Sequence, residues 1–432
     1  KSGATNQHTV FGSNKSLYHM NAAGTVVDIT PVDAAESAKD AIILAGFGNG
    51  PYGFGPYGIT SASYNAQPTP VLRWAFAPFG QTLLAQQRGT GPLYEVDPVT
   101  LETTPVLNAP DGAHDIIVSE ERLVIAVGFD DAPRRVVWSD QEDRNDWTPK
   151  ITNQAGDFTV NGDGALRRAV NVMGETLLLG DTDAHTMTYI GPPYVHSFNL
   201  VGTQCGIICP TAVATTSKLA VWWGAGQFWL FSGEVAPLEC SVMDFLKKDV
   251  DFAQVSKITA FTLSEFSEVW WLYQSKESTT NECDSYVYWS YAKNYWTTGR
   301  IDRTAASDKG TLRAPIMVGI DGVVHNHEVS GVLPDAEVFV ESGGIDINNG
   351  AKNMAVRAIL PDSGEFADCS FTFKGQQFPT GNEVSFGPYT YKNPTPVRVM
   401  GRSVKIKINA LSPKFAVGVH RLDIAPIGGG SR

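Results

Sequence analysis

Apolar residues along this chain come in short runs of four to seven, broken by clusters of Gly, Pro, Asn and Asp. Leu123–Val127, Arg135–Trp138, Leu177–Leu179, Leu219–Trp223, Gln227–Phe231, Val269–Tyr273 and Ser285–Tyr291 are rich in Val, Ile, Thr and aromatic side chains, the signature of strands between turns. Helical spacing is confined to Ser241–Lys257, where Val242, Phe245, Leu246, Val250 and Phe252 recur among charges. No run approaches the about 18 apolar residues that a membrane-crossing helix requires. The pattern predicts an all-β protein.

A loose repeat runs through the strands: an apolar strand, a polar or Gly turn, then an aromatic strand before a Pro-containing or polar loop. It occurs at Val10–Pro31, Leu83–Pro98, Leu123–Pro149, Leu177–Phe198, Leu219–Pro237, Val269–Trp296 and Ile316–Pro334. The last six units start 40, 54, 42, 50 and 47 residues apart, the length of one four-stranded propeller blade. One small twisted sheet cannot bury both faces alone, so such units stack around an axis. The reading is a β-propeller of six or seven degenerate blades over 1–335, with a pair of β-sandwiches as the competing architecture. From Ala336 the alternation becomes cleaner, at Glu337–Glu341, Ala355–Leu360, Ser370–Lys374, Arg398–Met400 and Val404–Ile408. Residues 336–425 read as a β-sandwich-like module and 426–432 as a flexible tail. Within that module, Val404-Lys-Ile-Lys-Ile408 is a strand with one apolar and one cationic face.

Charge refines this picture. The 432 residues carry 33 Lys and Arg against 45 Asp and Glu, net −12, which argues against a surface that grips nucleic acid throughout. Residues 391–432 hold eight basic groups against Asp423 alone, so this stretch is +7 and the rest −19. Such a split suits an oppositely charged neighbour, including another copy of the chain, or a simply solvated basic face. The chain opens Lys-Ser-Gly-Ala-Thr, which reads as a native start that is missing or processed. Cys205, Cys209, Cys240, Cys283 and Cys369 are an odd number at irregular spacing, which reads as reduced, mostly buried thiols and assembly in a reducing cytoplasm.

Candidate chemistry is sparse. Cys205 and Cys209 lack a second ligand pair, and His325-Asn-His327-Glu328 places its two imidazoles on one strand face with no third ligand. Asn161-Gly-Asp-Gly164 and Asp181-Thr-Asp183 resemble fragments of calcium loops but lack the terminal Glu, and read as turns. Ser139–Trp147 reads as a solvated loop closed by Trp147. No Gly-x-Ser-x-Gly elbow or His-Glu-x-x-His helix is present. The expectation is a protein without catalytic residues, metal or cofactor. The most unusual segment is Gly46–Gly58, with six glycines interleaved with Phe47, Tyr52, Phe54 and Tyr57. It suits docking on a neighbouring subunit, or a surface loop. Subunit-contact candidates are therefore Phe47, Tyr52, Phe54, Tyr57, Arg398, Arg402, Lys405 and Lys407.

Several motifs in order resemble the tail nozzle, or packaged-DNA stabilisation, proteins of short-tailed bacteriophages. They are Val136-Val-Trp-Ser-Asp140 with Trp147-Thr-Pro149; the Gly-rich aromatic segment; and Tyr189-Ile-Gly-Pro192, Gly202-Thr-Gln-Cys-Gly206, Cys209-Pro210, Ala220–Trp223 and Phe228–Ser232. In the last module they are Ser342-Gly-Gly-Ile-Asp346, Leu360-Pro-Asp362, Gly387-Pro388, Arg398-Val-Met-Gly-Arg402 and Arg421-Leu-Asp423. The resemblance implies a non-enzymatic virion component. It would form a homo-hexameric ring below a portal, adaptor or upper tail-tube protein, with tail fibre or needle proteins as further neighbours. Such a ring retains packaged genomic DNA and passes it on ejection without binding it specifically; the protein resides in the virion tail, after assembly in the host cytoplasm. Six copies of −12 give −72, and an acidic lumen would keep the duplex mobile. The alternatives are a carbohydrate-binding or carbohydrate-cleaving β-propeller and, more remotely, a cytoplasmic repeat scaffold.

Overall fold

A computed structural model describes residues 8–43, 68–310, 312–329, 338–347, 349–361, 369–378, 381–390, 392, 394–412 and 420–427. The Gly46–Gly58 segment, with Phe47, Tyr52, Phe54 and Tyr57, lies outside the described residues. The chain divides into two compact units, Lys1–Glu328 and Val329–Arg432.

The first unit is a β-propeller. Its sheets are antiparallel meanders that follow the chain without a crossover. Sheet one comprises His8–Gly12, Leu17–Asn21 and Val26–Asp28. Sheet two is Trp74–Phe79, Thr82–Gln87, Leu93–Val96 and Thr103–Pro105. Sheet three is Asp115–Val118, Val124–Val127, Arg135–Trp138 and Gly156–Thr159. Sheet four follows with Leu166–Val172, Glu175–Gly180, Asp183–Gly191 and Val195–Thr203. In sheet five the strands are Val213–Thr215, Ala220–Trp223, Phe228–Phe231 and Val235–Leu238. Sheet six holds Thr259–Leu263, Glu268–Tyr273, Ser285–Ser290 and Tyr295–Arg300, and sheet seven Arg303–Ser307, Ile316–Gly319 and Val324–Asn326. From sheet two to sheet seven, the first strand of each sheet touches the first strand of the next, so these strands line the axis.

Each pair of neighbouring sheets shares a core. In the second strand of sheet three, Val124 and Ala126 pack towards sheet two while Ile125 and Val127, with Leu123 just before them, pack towards sheet four. Side chains alternate across a strand, so a strand covered on both faces must be apolar throughout. Val124–Val127 and Ala220–Trp223 are accordingly buried at every position. Two fully buried tryptophans on second strands, Trp222 and Trp271, donate their indole N–H to the carbonyls of Cys205 at 2.7 Å and Ala212 at 2.9 Å. The expected helical stretch is a short helix, Met243–Asp249, followed by a 3-10 segment, Phe252–Lys257, whose Asp251 caps it through Ala253 N at 3.0 Å.

The second unit is a β-sandwich. Ser403–Ala410 pairs with Cys369–Gln376 on one side and with Phe339–Glu341 and Ile345–Asp346 on the other; Val384–Thr390 adds to Cys369–Gln376. A three-stranded sheet of Thr395–Gly401, Asn353–Pro361 and His420–Ile427 faces it. Met354, Val356, Ile359, Phe371, Phe373, Val397, Val399 and Val404 form the core between them.

Candidate functional site

The cationic candidates lie on the sandwich. Along Ser403–Ala410, Val404 is buried and Ile406 and Ile408 pack onto the core, which leaves Lys405 and Lys407 on the opposite face. Lys405 Nζ sits 2.5 Å from Glu383 Oε1, and Lys407 Nζ lies 4.0 Å from the centre of the Phe339 ring. On the neighbouring strand Lys374, in register with Lys405, is 2.7 Å from Glu341 Oε2. Lys405 and its hydrogen bond hold the Glu383 carboxyl below the usual carboxylate range. Arg402 lies over the Phe378 ring at 5.8 Å, and Arg398 is exposed between the buried Val397 and Val399. Lys405 and Lys407 thus share one face, while Arg398 belongs to the other sheet.

The structural division also redraws the charge map. The first unit holds 22 basic and 36 acidic side chains, net −14, and the second 11 against 9, net +2. The +7 stretch is not a unit by itself, because the strands that pair with it bring Glu341 and Asp346, and Lys405 pairs with Glu383.

The two turns resembling calcium loops meet around a cation, which is Arg134. Its Nη2 donates to the Asn161 carbonyl at 2.7 Å, its Nη1 to the Asp163 carbonyl at 3.3 Å and its Nε to the Val160 carbonyl at 3.2 Å. Both Nη atoms also bond Asp183, at 2.8 and 2.9 Å, and the two side chains are each 8% exposed. Gly162 makes the close approach possible, at φ +137°, where a Cβ would collide with Asp183 and Arg134. Asp181 completes the corner by accepting from Ala165 N at 2.9 Å and Arg167 Nε at 2.7 Å.

Above this corner, between sheets three and four, opens a cleft of about 590 Å³. Phe158 and Phe198, stacked 4.5 Å apart, and Leu200 form its apolar wall. Asn161, Asp163, Thr182, Thr203 and Gln204 supply polar groups, and Asp183 and His185 are also in its lining. His185 is buried and its Nδ1 has no hydrogen-bond partner, 3.9 Å from Asp183 Oδ2. Burial pushes the His185 pKa down against the pull of Asp183. This cleft was not visible in the sequence, because Phe158 and Phe198 belong to different sheets.

The other sequence candidates have structural work. His327 Nε2 accepts from Arg303 Nε at 3.0 Å, and burial with the nearby Arg303 lowers its pKa to about 4. Cys205, Cys209, Cys240 and Cys283 are unpaired thiols, and burial raises Cys205 and Cys240 to about 11 and Cys283 to about 12. Among the described residues, no three His, Cys, Asp or Glu side chains are grouped to hold a metal. In Ser139–Trp147, Trp147 is buried and donates to the Arg144 carbonyl at 2.6 Å. Arg144 itself grips Glu95 of sheet two with two bonds, at 2.8 and 2.6 Å. This loop ties two blades together.

No family model matches the sequence, and no curated protein matches it. Among solved structures, a protein from Lactobacillus plantarum aligns at 8% identity over 93% of this chain and 99% of its own, with a TM-score of 0.42. A chain of the nidogen/laminin complex aligns at 10% identity over 67% and 92%, TM-score 0.38. Hsv2 from Kluyveromyces lactis aligns at 11% identity over 59% and 72%, TM-score 0.36. At this level of similarity none of them bears on function, and the fold assignment rests on strand order.

Proposed function

We propose that this chain is a non-enzymatic structural subunit of a ring in the tail of a short-tailed phage, which retains packaged DNA and conducts it on ejection. The motif order supports this reading, as does a propeller followed by a sandwich. One observation carries it furthest: the small second unit exposes Phe378 (63%), Leu411 (61%), Met400 (59%), Val340 (58%) and Val384 (56%), with Lys407 and Arg402 laid over exposed rings. Large apolar side chains left exposed on both sheets of so small a unit are surface that assembly would cover. A head-to-tail interface of this kind closes into a ring when its rotation permits. Electron microscopy and mass photometry of the purified protein test the reading. Closed sixfold rings are expected, weakened by Phe378→Ser with Met400→Ser, by Lys405→Glu with Lys407→Glu, and by high salt. Monomers at every concentration, with or without the upper tail proteins, would overturn it.

A second reading, a carbohydrate-binding propeller, is favoured by the cleft between sheets three and four. Stacked Phe158 and Phe198 offer a flat apolar platform, beside the amides of Asn161 and Gln204 and the carboxylate of Asp163. Titration of monomeric protein with neutral oligosaccharides, and loss of binding in Phe198→Ala, would select it.

A further inference from the structure

The described charged groups around Arg88, near the propeller axis, do not balance. Asp115, whose side chain is fully buried, opens the first strand of sheet three. One of its oxygens accepts from Arg88 Nη1 at 2.6 Å and from Arg168 Nη1 at 3.0 Å; the other accepts from Ala169 N at 2.8 Å. Arg88 comes from sheet two and Arg168 from the first strand of sheet four, so three blades converge on one carboxylate. A third guanidinium joins them. Arg88 N bonds the Arg73 carbonyl at 2.9 Å, and Arg73 Nη1 reaches Thr259 Oγ1, on the first strand of sheet six, at 2.9 Å. That bond runs from the start of sheet two to sheet six and therefore spans the axis.

Two guanidinium groups thus share one carboxylate, and Arg73 adds a third positive charge close enough to repel Arg88. The Nε atoms of Arg88 and Arg168 are buried without a hydrogen-bond partner, and the Arg88 side chain is only 10% exposed. Burial lowers the Arg88 pKa to about 10; Asp115 opposes the fall, while Arg168 and Arg73 add to it. Buried charge persists when it is paired and hydrogen-bonded, and a cluster of net +2 lacks that balance.

We propose that the axial arginines Arg73, Arg88 and Arg168 bind a small oxyanion, of the phosphate or sulfate type. Guanidinium groups present parallel N–H donors matched to two oxygens of one acceptor, which a halide cannot engage at once. The anion neutralises the cluster and pins sheets two, three, four and six to one another. The site is independent of the ring reading above, since it lies within a single propeller.

The test uses the full chain, with inorganic phosphate and sulfate as probes and chloride at matched ionic strength as control. The ³¹P resonance of inorganic phosphate should broaden on addition of protein, and the melting temperature should climb with phosphate concentration but not with chloride. Arg168→Gln should weaken phosphate binding by about tenfold or more, whereas Asp115→Asn, which leaves Arg88 and Arg168 without their carboxylate, should tighten it. Arg168→Lys keeps the charge and serves as the folded comparator. Equal melting temperatures in phosphate and chloride with an unbroadened ³¹P line, or undiminished phosphate binding in Arg168→Gln, would overturn the proposal.

Discussion

The propeller and the sandwich use the same residue types in opposite ways. In the propeller, arginines reach across sheets: buried Arg134 fills a cage of carbonyls, half-buried Arg144 clamps Glu95, and buried Arg88 shares Asp115 with half-buried Arg168. In the sandwich, Lys405 and Lys407 lie on the outer face of one sheet, beside Glu383 and the Phe339 ring. The difference follows from architecture. A propeller has an interior wherever two blades meet, and its loops leave backbone carbonyls there that need donors. A two-sheet sandwich has one interior, filled by apolar side chains, and its cations remain outside. Several cations of the first unit therefore hold blades together, whereas Lys374 and Lys405 of the second pair with carboxylates of their own module.

The sharpest way to break this contrast is Asp183→Ala, which strands Arg134 among carbonyls. It should cost the propeller about 3–5 kcal/mol. All ten tryptophans precede residue 329, so urea unfolding followed by tryptophan fluorescence reads the first unit alone. A loss under 1 kcal/mol would show that the pair is dispensable.

A smaller effect is expected from acid. Burial lowers the pKa of His196 to about 4 in the folded protein, below its ordinary 6.5, so the unfolded chain binds the extra proton first. Stability is complete above pH 6.5 and falls as the pH drops towards 4, by on the order of 3 kcal/mol. His196→Phe should flatten the pH dependence of the tryptophan-detected transition in that window; an unchanged slope would assign it to other groups.

The smallest effect belongs to the sandwich. Lys405→Ala removes a half-exposed ion pair and should change stability by less than about 1 kcal/mol, measured by circular dichroism. A larger loss would place that lysine among the structural charges and erase the contrast between the units.

The sequence carried the architecture better than the sites. Six of the seven repeat units start at or beside the second strand of a sheet: Leu83, Leu123, Leu177, Leu219, Val269 and Ile316. Second strands are covered on both faces and are the most apolar, whereas first strands at the axis carry Asp115, Arg168 and Thr259 and give a weaker hydrophobic signal. The period was legible and its phase was shifted by one strand. Val404–Ile408 was legible for the same reason, since its alternation is local. The Arg134–Asp183 pair, the Arg88–Asp115–Arg168 cluster and the Phe158–Phe198 wall join residues 27 to 53 positions apart. No local pattern records which strands such residues will face.

The corner around Arg134 has a consequence for the conditions the molecule can tolerate. A loop that recruits a free divalent ion is only as firm as the surrounding solution is rich in that ion, and a chelator dissolves it. Here the positive charge is tethered to the chain, so its local concentration is set by the fold and not by the medium. The junction of sheets three and four should therefore keep its shape in calcium-poor and calcium-rich surroundings alike, and pass between them without a change of state.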